Sequence, residues 1–369
     1  MANDYVNVDW QTITDFVTDV FVASGVPKED AEICTDVLLE ADRRGIESHG
    51  VNRFKPIYID RIRDGIQNAV TKFEILRETP TTAVLDCHDG MGQVVSVSAM
   101  QMAIDKAKAY GMGMTAVRNS THYGIAGYYA TMATKQGLIG ITGTNARPSI
   151  APTFGVENML GTNPITFGMP TDEDFPFVLD CATSITQRGK IEYEERVGKQ
   201  TPAGQVIDHE GNTLTDPTYI LKALVDGTAA LTPLGGAGET LGGYKGYGYA
   251  TVVEILSAAL QQGSYMKMLL GFEDGEKVPY KLGHFFMAID PEAFMGLEEF
   301  KKTAGDILRG LRASDKVPGA ERIYTAGEKE YLYMKEREYI GVSINPAVQK
   351  ELIALRDQFG LSAYVFPFE

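Results

Sequence analysis

Two histidines lie in short polar segments where they could exchange a proton with a ligand. His49 is the middle residue of SHG at 48–50, and His122 is the second residue of THYG at 121–124. The neighbouring glycines let a ligand approach each ring closely, and an imidazole pKa of about 6.5 suits proton exchange with a hydroxyl or carbonyl group. The alternative is that each ring only caps or packs locally. The contexts of His88, His209 and His284 predict structural roles.

Arg53 follows His49 by four residues, so the two side chains would share a face if the chain is helical there. A guanidinium at this position could bind a carboxylate beside a proton donor. The alternative is a surface arginine that pairs with one of the many acids of the chain. Spacing alone favours the surface arginine.

Two further segments could contact an anionic ligand. The segment PLGGAGETLGGYKGYG at 233–248 contains seven glycines and Lys245, and it directly precedes an apolar helix. Glycine backbone N–H groups and the positive end of a helix favour an anion such as pyrophosphate, whereas the alternative is a flexible loop. Asp180 begins DCATS at 180–184, where its carboxylate could lie near a histidine or a ribose hydroxyl, or could form part of a turn.

Several familiar catalytic patterns are missing from the sequence. No GxGxxG lies between a strand and a helix, and no Walker A sequence occurs, which disfavours a Rossmann or phosphate-loop domain. No HExxH or closely spaced His/Asp cluster is present, so no metal site is expected. A GxSxG elbow is also absent, which disfavours a serine hydrolase.

Composition excludes other classes of function. The 369 residues carry a formal net charge of −15 and no long basic run, so a nucleic-acid partner is not expected. The three cysteines have no disulfide or zinc spacing. The first residues do not read as a signal peptide, and no apolar run suggests a membrane span. We therefore expect a cytoplasmic protein without a membrane partner.

The pattern of apolar residues predicts an α/β protein. Helices are expected at about 10–24, 27–42, 93–110, 247–260, 298–312 and 346–358. A further helix is expected to start at about residue 124. Strands are expected at 81–87, 115–117, 138–142, 165–169, 177–181 and 284–289. The polar stretch at 188–216 is predicted to be a surface excursion. Helices and strands that alternate in this way form a mixed sheet with helices packed on it.

Read together, these segments resemble the type-2 malate/L-lactate dehydrogenases, a family that includes sulfolactate, ureidoglycolate and diketogulonate oxidoreductases. The resemblance rests on ADRRGIESHGVNRF (41–54), VRNSTHYGIAGYYA (117–130), GTNPITF (161–167), LDCATS (179–184), PLGG with GGYKGYGYATVVEIL (233–256), GHFFMAID (283–290) and AGE (326–328). These segments occur in the family's order along most of the chain. Together they are highly specific.

The resemblance implies an NAD(P)-dependent oxidoreductase that interconverts a small 2-oxo acid and its L-2-hydroxy acid by hydride transfer, with a histidine as acid and base. NAD is the expected cofactor, with NADP as the alternative. The implied fold is α/β but not Rossmann: residues 81–309 would form a mixed-sheet cofactor domain, and residues 1–80 and 310–369 a helical substrate and dimerisation part. A homodimer is expected.

The resemblance also assigns roles to particular residues. His49 or His122 would carry the proton, with Ser48 and Asp180 nearby, and Arg53 would hold the substrate carboxylate, which reverses the preference from spacing. The residues that would line the cofactor are Asn145, Asp180, Cys181, Ala182, Thr183, Ser184, Lys245, Gly246, Gly327 and Glu328.

Two other functions remain open at this point. A cyclic imino acid reductase would use the same proton donor and carboxylate clamp to reduce a C=N bond. A non-catalytic metabolite-binding protein on the same scaffold would bind cofactor without turnover. The presence of both histidines, Arg53 and Asp180 argues against the non-catalytic alternative.

Overall fold

The computed structural model describes residues 5–369. The helices are α1 (Trp10–Ala23), α2 (Lys28–Arg43), α3 (Asp60–Arg63), α4 (Gly92–Tyr110), α5 (Ala126–Thr134), α6 (Arg188–Arg196), α7 (Pro217–Asp226), α8 (Gly243–Ala258), α9 (Leu297–Ala313), α10 (Glu328–Ile340) and α11 (Pro346–Gln358). The strands are β1 (Val6–Val8), β2 (Glu74–Glu78), β3 (Thr82–Asp86), β4 (Met112–Ser120), β5 (Ile139–Thr144), β6 (Ile165–Met169), β7 (Phe177–Cys181), β8 (Val206–Asp208), β9 (Ala229–Leu231), β10 (Phe272–Glu273), β11 (Glu276–Lys277), β12 (Leu282–Ile289) and β13 (Val342–Ile344).

The α/β class is confirmed, and most predicted elements occur close to their expected bounds. The apolar stripe of α1 is fully buried, and Asp9 caps this helix by accepting a hydrogen bond from the Thr12 N–H at 2.9 Å. Helix α8 begins at Gly243, four residues before the predicted start, so Lys245 lies in its first turn. The polar stretch at 188–216 contains the short helix α6 and strand β8.

A seven-stranded sheet with the order β2-β3-β4-β12-β5-β6-β7 forms the centre of the fold. Strands β3 and β4 are parallel and are connected by α4, whereas the other neighbours are antiparallel. The sheet is therefore mixed, as expected. It includes β2, so it extends past the domain boundary predicted at residue 80.

The register of this sheet brings distant loops to one edge. Leu282 pairs with Ser120, His284 with Thr144, and Ile165 with Cys181. The carboxyl ends of β4, β5 and β7 therefore lie beside the amino ends of β12 and β6. Loops that carry candidate site residues leave the sheet here, so we call this end of the sheet the site edge. These loops include 121–124, 145–147, 161–164 and 182–187.

Helices pack on this sheet and form a second core with the chain termini. Helix α4 packs on β4 and β12, α5 on β5 and β6, and α8 on β12. Buried side chains of α1, α2 and α11 form a separate core, and β1 pairs with β13 to join the two ends of the chain. Within residues 5–369, no helix is both long enough and apolar enough to cross a membrane.

A buried carboxylate fixes the segment that follows α2. Asp42 is fully buried, and its Oδ2 accepts a hydrogen bond from the Val51 N–H at 2.9 Å. A Cβ added to Gly50 would lie 2.1 Å from the same oxygen, so only glycine allows this approach. Burial raises the pKa of Asp42 from its ordinary value of 3.8 to about 7. The contact holds His49, the residue before Gly50, in place.

Substitution Asp42→Asn should keep the hydrogen bond to Val51 and remove the ionisable group. Because the folded-state pKa is raised, the contribution of Asp42 to stability is fully present below pH 4 and is lost as pH rises through 7. The wild-type free energy of unfolding should therefore fall relative to D42N over this range, by on the order of a few kcal/mol. Urea denaturation at several pH values measures the free energy of unfolding of both proteins. The exposed Asp226→Asn serves as control. A difference between wild type and D42N that is constant with pH would contradict this explanation.

Candidate active site

The structure brings the two sequence-predicted histidines together at the site edge. His122 lies two residues beyond the end of β4, and His49 ends a 3-10 turn at Glu47–His49. Their rings are stacked, with centroids 5.9 Å apart and planes inclined by 26°. Residues distant in sequence therefore contribute to one site.

Each histidine uses Nδ1 to contact a hydroxyl group. The Ser48 Oγ lies 3.0 Å from Nδ1 of His49, and the Tyr58 hydroxyl lies 2.7 Å from Nδ1 of His122. The Gly124 N–H also donates to Nδ1 of His122, at 3.2 Å. Across residues 5–369, neither Nε2 atom has a hydrogen-bond partner. Two imidazole nitrogens are thus available for a ligand.

Tyr58 is a site residue that the sequence analysis missed. It lies in a π-helical turn, Phe54–Ile59, that follows a second 3-10 turn at Val51–Arg53. Pro56 lacks an N–H group and cannot take part in a regular α-helical ladder, and π-turns often occur at functional sites. This turn puts a fully buried tyrosine against His122. Only the presence of Pro56 in an apolar helical stretch hinted at an irregular turn.

Both imidazole rings are held in the neutral form. Burial, together with the charge of Arg53, lowers the pKa of His49 to about 4. Burial also lowers the pKa of His122 well below its ordinary value, and His49, Arg61 and Arg53 add to this effect. A negatively charged ligand would oppose the arginine charges and raise both pKa values.

Arg53 lies beside His49, although not through a shared helix face. Its Nε donates to the backbone oxygen of Ser48 at 2.7 Å. Among residues 5–369, no carboxylate pairs with its guanidinium. The surface ion pair favoured by spacing is therefore not formed, and the cation remains available to bind a carboxylate.

Asp180 contacts α5, and neither of its oxygens bonds to a histidine. Oδ2 accepts from the Gly127 N–H at 2.6 Å, and Oδ1 accepts from Thr166 Oγ1 at 2.9 Å. Burial raises the pKa of this carboxyl group, while these hydrogen bonds oppose the shift. Asp180 thus joins β7 to the amino end of α5, where a negative charge is favourable.

The other residues expected at the cofactor differ in whether their side chains already have hydrogen-bond partners in the protein. Asn145 is fully buried, and its amide bonds to Ser264 O at 3.0 Å and the Gly283 N–H at 2.8 Å. Thr183 donates to Thr162 O and Asn163 O. By contrast, the buried Ser184 hydroxyl has no partner among the described residues. Cys181 and Ala182 are partly exposed.

The segment 233–248 packs tightly where it meets α8. A Cβ on Gly246 would lie 2.3 Å from the Leu234 oxygen, so this glycine serves the contact between loop and helix. Lys245 is exposed, with its amino group 5.8 Å from the centre of the Tyr244 ring. The loop bonds to the DCATS segment, because the Leu234 N–H donates to Thr183 O at 2.9 Å.

The AGE segment is held by its own glutamate. Glu328 is buried at the start of α10, and its Oε2 accepts a hydrogen bond from the Thr325 N–H at 3.1 Å. Arg322 pairs with its other oxygen. The carboxylate of Glu328 therefore orders the AGE segment. Of Gly327 and Glu328, it is Gly327 that lines a cavity.

A cavity of about 810 Å³ lies between α5, β7, α9 and the AGE segment. Asp180 and Gly327 line it, together with apolar side chains such as Val178 and Leu297. Its volume lies in the range of sites for large organic ligands.

His284 has a structural environment, in agreement with its predicted role. It is buried on β12, with Nδ1 2.7 Å from Thr144 Oγ1 and Nε2 2.8 Å from Ser120 Oγ. Burial lowers its pKa to about 3, so the ring stays neutral. It therefore ties β4 and β5 to β12 at the site edge.

Paired imidazoles beside an arginine that has no acid partner in the described part of the chain suit proton exchange with a carboxylate-bearing substrate. A family model described as malate/L-lactate dehydrogenase matches residues 8–353. The chain is 45% identical to the malate dehydrogenase of Pyrococcus horikoshii, over 97% of each chain. It is 38% identical to the L-sulfolactate dehydrogenase of Methanocaldococcus jannaschii, over 94% of this chain and 95% of that one.

Solved structures agree with these sequence relatives. The crystal structure of malate dehydrogenase from Entamoeba histolytica superimposes with a TM-score of 0.93 at 44% identity, covering 98% of this chain and 99% of that chain. A Δ1-pyrroline-2-carboxylate/Δ1-piperideine-2-carboxylate reductase of Pseudomonas aeruginosa is more distant, with 29% identity over 87% of this chain and 90% of that one. The chain belongs to the malate/L-lactate dehydrogenase family and is a 2-hydroxy acid dehydrogenase.

Proposed function

We propose that this enzyme interconverts a small 2-oxo acid and its L-2-hydroxy acid, with NAD as the hydride carrier. The proposal rests on one observation: two stacked histidines, whose Nε2 atoms have no hydrogen-bond partner within residues 5–369, lie beside an arginine that has no acid partner in the same range. Similarity to malate and sulfolactate dehydrogenases supports it.

Arg53 binds the carboxylate next to the reacting carbon. Its Nε is tied to Ser48 O, which fixes the guanidinium beside His49 and leaves its other N–H groups for the two carboxylate oxygens. A substrate held in this way has lost most of its freedom before reaction, which lowers the barrier.

His122 exchanges the proton with the oxygen on C2. Its ring is fixed by Tyr58 and Gly124, at the end of a strand, and Nε2 is left for the substrate. When Nε2 and Nδ1 both carry a hydrogen, Nδ1 no longer accepts from the Gly124 N–H. It donates to the Tyr58 oxygen instead, and this hydrogen bond stabilises the charged ring. His49, tied to Ser48, provides the second contact to the same oxygen. Ser48 is therefore a positioning residue.

Substrate binding prepares the histidines for reduction of the 2-oxo acid. In the free protein both rings are neutral because of burial and nearby arginines. A bound carboxylate offsets the arginine charge, so the site takes up a proton as substrate binds. Reduction then transfers this proton to the C2 oxygen, and oxidation returns it.

The residues around the cavity fit a dinucleotide. Val178 and Leu297 offer an apolar surface for a planar base, and Lys135 offers a cation for phosphate. The Ser184 hydroxyl, which has no hydrogen-bond partner in the described chain, belongs to the DCATS segment, and that segment begins at Asp180 on the cavity wall. Bound there, the nicotinamide cofactor would donate or accept the hydride. Asp180, Cys181, Ala182, Thr183, Ser184 and Gly327 would contact it, with Asn145, Lys245, Gly246 and Glu328 as support for these segments.

The protein is a homodimer in this proposal, and α8 contributes to the interface. Tyr249, Val252 and Ile255 are exposed by 59%, 46% and 55% and recur every three residues along one side of the helix. Leu241, just before the helix, is 81% exposed. A contiguous apolar surface of this kind is typical of a protein interface.

The state of the cysteines supports a location in the cytoplasm, which is a reducing compartment. Cys34, Cys87 and Cys181 are all free thiols, and the first two are buried. Free buried thiols are typical of proteins that are kept reduced.

Replacement His122→Ala should lower turnover at least about a hundredfold, because acid–base help is lost. His49→Ala should also lower turnover, and Tyr58→Phe should lower turnover by about tenfold. Reduction needs the protonated ring of His122, and in Y58F this ring lacks the Tyr58 oxygen as a hydrogen-bond acceptor. As pH rises, the Y58F enzyme should therefore lose reductase activity at a lower pH than the wild type does. Initial rates with oxaloacetate, pyruvate and a cyclic imine measure these effects and distinguish C=O from C=N reduction. The exposed His209→Ala is the control. Near-full activity in both H122A and H49A would refute the mechanism.

Substitution Leu297→Trp should fill part of the cavity and weaken NADH binding by about tenfold. Leu311→Trp, on the exposed side of the same helix, should leave binding unchanged. Fluorescence titration with NADH and NADPH measures both affinities. Tighter binding of NADPH would overturn the choice of NAD, and unchanged NADH binding in L297W would remove the cavity from the proposal.

Light scattering after gel filtration should give a mass of roughly twice 40.3 kDa for the wild type. Val252→Glu should dissociate the protein into monomers, since it buries a charge in an apolar interface. Val225→Glu, at an exposed position of α7, should not. A monomeric wild type would rule out the dimer.

A further inference from the structure

The segment that carries His122 is bonded to the loop before α4. Strands β3 and β4 are parallel, and their backbone pairing continues past the end of β3. The Cys87 N–H donates to Arg118 O at 3.0 Å, and the Asp89 N–H donates to Asn119 O at 2.8 Å. These hydrogen bonds bring the residues just before His122 to the start of α4.

Thr121, the residue before His122, makes two further contacts to this loop through its side chain. Its Oγ1 donates to Gly90 O at 2.9 Å and accepts a hydrogen bond from the Gly92 N–H at 2.9 Å. Thr121 is 2% exposed, so water does not compete for these groups. Within residues 5–369, the N-cap residue Met91 does not cap α4 with its side chain. Thr121 therefore caps this helix from another segment of the chain.

The start of α4 also contacts the backbone of His122. A Cβ added to Gly92 would lie 2.3 Å from Thr121 O and 2.7 Å from His122 O, so this approach requires glycine. Helix α4 has 19 residues and packs on β4 and β12. The peptide group of His122 thus rests on an element that is itself held by the sheet.

The imidazole of His122 needs a fixed backbone for proton exchange. The Tyr58 hydroxyl, 2.7 Å from Nδ1, fixes one point of the ring. The backbone of His122 has to fix a second point before Nε2 has a defined position. A displacement of about 1 Å in a reacting group can lower turnover by about a hundredfold.

We propose that Thr121 is a positioning residue for His122: its hydroxyl locks the backbone before the histidine onto the start of α4, so that Nε2 meets the C2 oxygen. This inference rests on the proposed function, because it concerns the histidine to which that function assigns the proton. The hydroxyl is the essential part of the side chain, since it satisfies Gly90 O and the Gly92 N–H. Substrate binding is left unaffected, because Arg53 lies on a different segment.

The substitution Thr121→Val keeps the shape of the side chain and removes its hydroxyl. In T121V, kcat for reduction of oxaloacetate should fall by about 10- to 100-fold, because Nε2 is displaced. The KM for oxaloacetate should change less than about threefold. Thr121→Ser should recover most of the loss in kcat, because the hydroxyl is kept. Steady-state rates measure these effects, and each rate is divided by the concentration of NADH-binding sites so that unfolded protein is not counted.

Thr115→Val is a matched control on the same strand and helix. Thr115 is fully buried on β4, and its Oγ1 donates to Ala99 O of α4 at 2.8 Å. T115V should lower the midpoint of urea unfolding about as much as T121V does, and it should leave kcat unchanged.

Two glycine substitutions test the contact from the side of α4. Gly92→Ala should lower kcat, because the new Cβ displaces Thr121 O and His122 O. Gly310→Ala, in α9, should leave kcat unchanged, because no other group lies within 4 Å of the added Cβ.

The H122A background distinguishes positioning from general stabilisation. T121V should not lower the residual rate of H122A further, because Thr121 acts through the imidazole that H122A lacks. An equal loss from T121V in both backgrounds would overturn the inference. A kcat for T121V equal to that of the wild type, or a loss in T115V as large as that in T121V, would also overturn it.

A spectroscopic measurement separates this inference from the proposed function. The 15N NMR signal of Nδ1 in histidine-labelled protein reports the hydrogen bond between His122 and Tyr58, and its absence from H122A assigns it. The signal should shift in T121V but not in T121S or T115V. If the wild type turns over no 2-oxo acid and the signal shifts in T121V alone, the proposed function fails and the positioning role stands. If turnover is normal and T121V changes neither kcat nor the signal, the positioning role fails alone.

Discussion

The insertion of β12 between β4 and β5 is the constraint on which the site depends. Phe285 pairs with Ala116 on one side and Gly143 on the other, so the backbone groups of a buried strand are satisfied in both directions. The side chain of His284 bonds to Ser120 and Thr144. A slip of one residue would turn this histidine to the other face and break both contacts. The register is therefore fixed, and with it the edge from which the loop of His122 departs.

Electrostatics make the site incomplete without a ligand. Two neutral imidazoles lie beside Arg53 and Arg61, whose charges no described carboxylate balances. The overall acidity of the chain does not alter this, because screening in water limits surface charges to about 10 Å at ordinary ionic strength. An anionic substrate is what the local charges favour. The same anion raises the histidine pKa values, so binding and protonation are coupled.

The segment from α2 to α3 shows how irregular backbone serves the chemistry. Asp42 holds the Gly50–Val51 backbone, two 3-10 turns follow α2, and a π-helical turn then orients Tyr58 towards His122. A regular helix would have put His49 and Arg53 on one face, as their spacing predicts. The backbone carbonyl of Ser48 joins them instead. Spacing rules apply to regular helices, and this segment is not one.

Sequence by itself determined the α/β class, most helices and strands, the family and the histidine and arginine candidates, because apolar periodicity and local motifs are properties of neighbouring residues. It did not determine that His49 and His122 stack, that Tyr58 contacts one of them, or that Asp180 bonds to Gly127 and not to a histidine. These are contacts between residues far apart in the chain. Only the pairing of strands and the packing of helices on the sheet decided them.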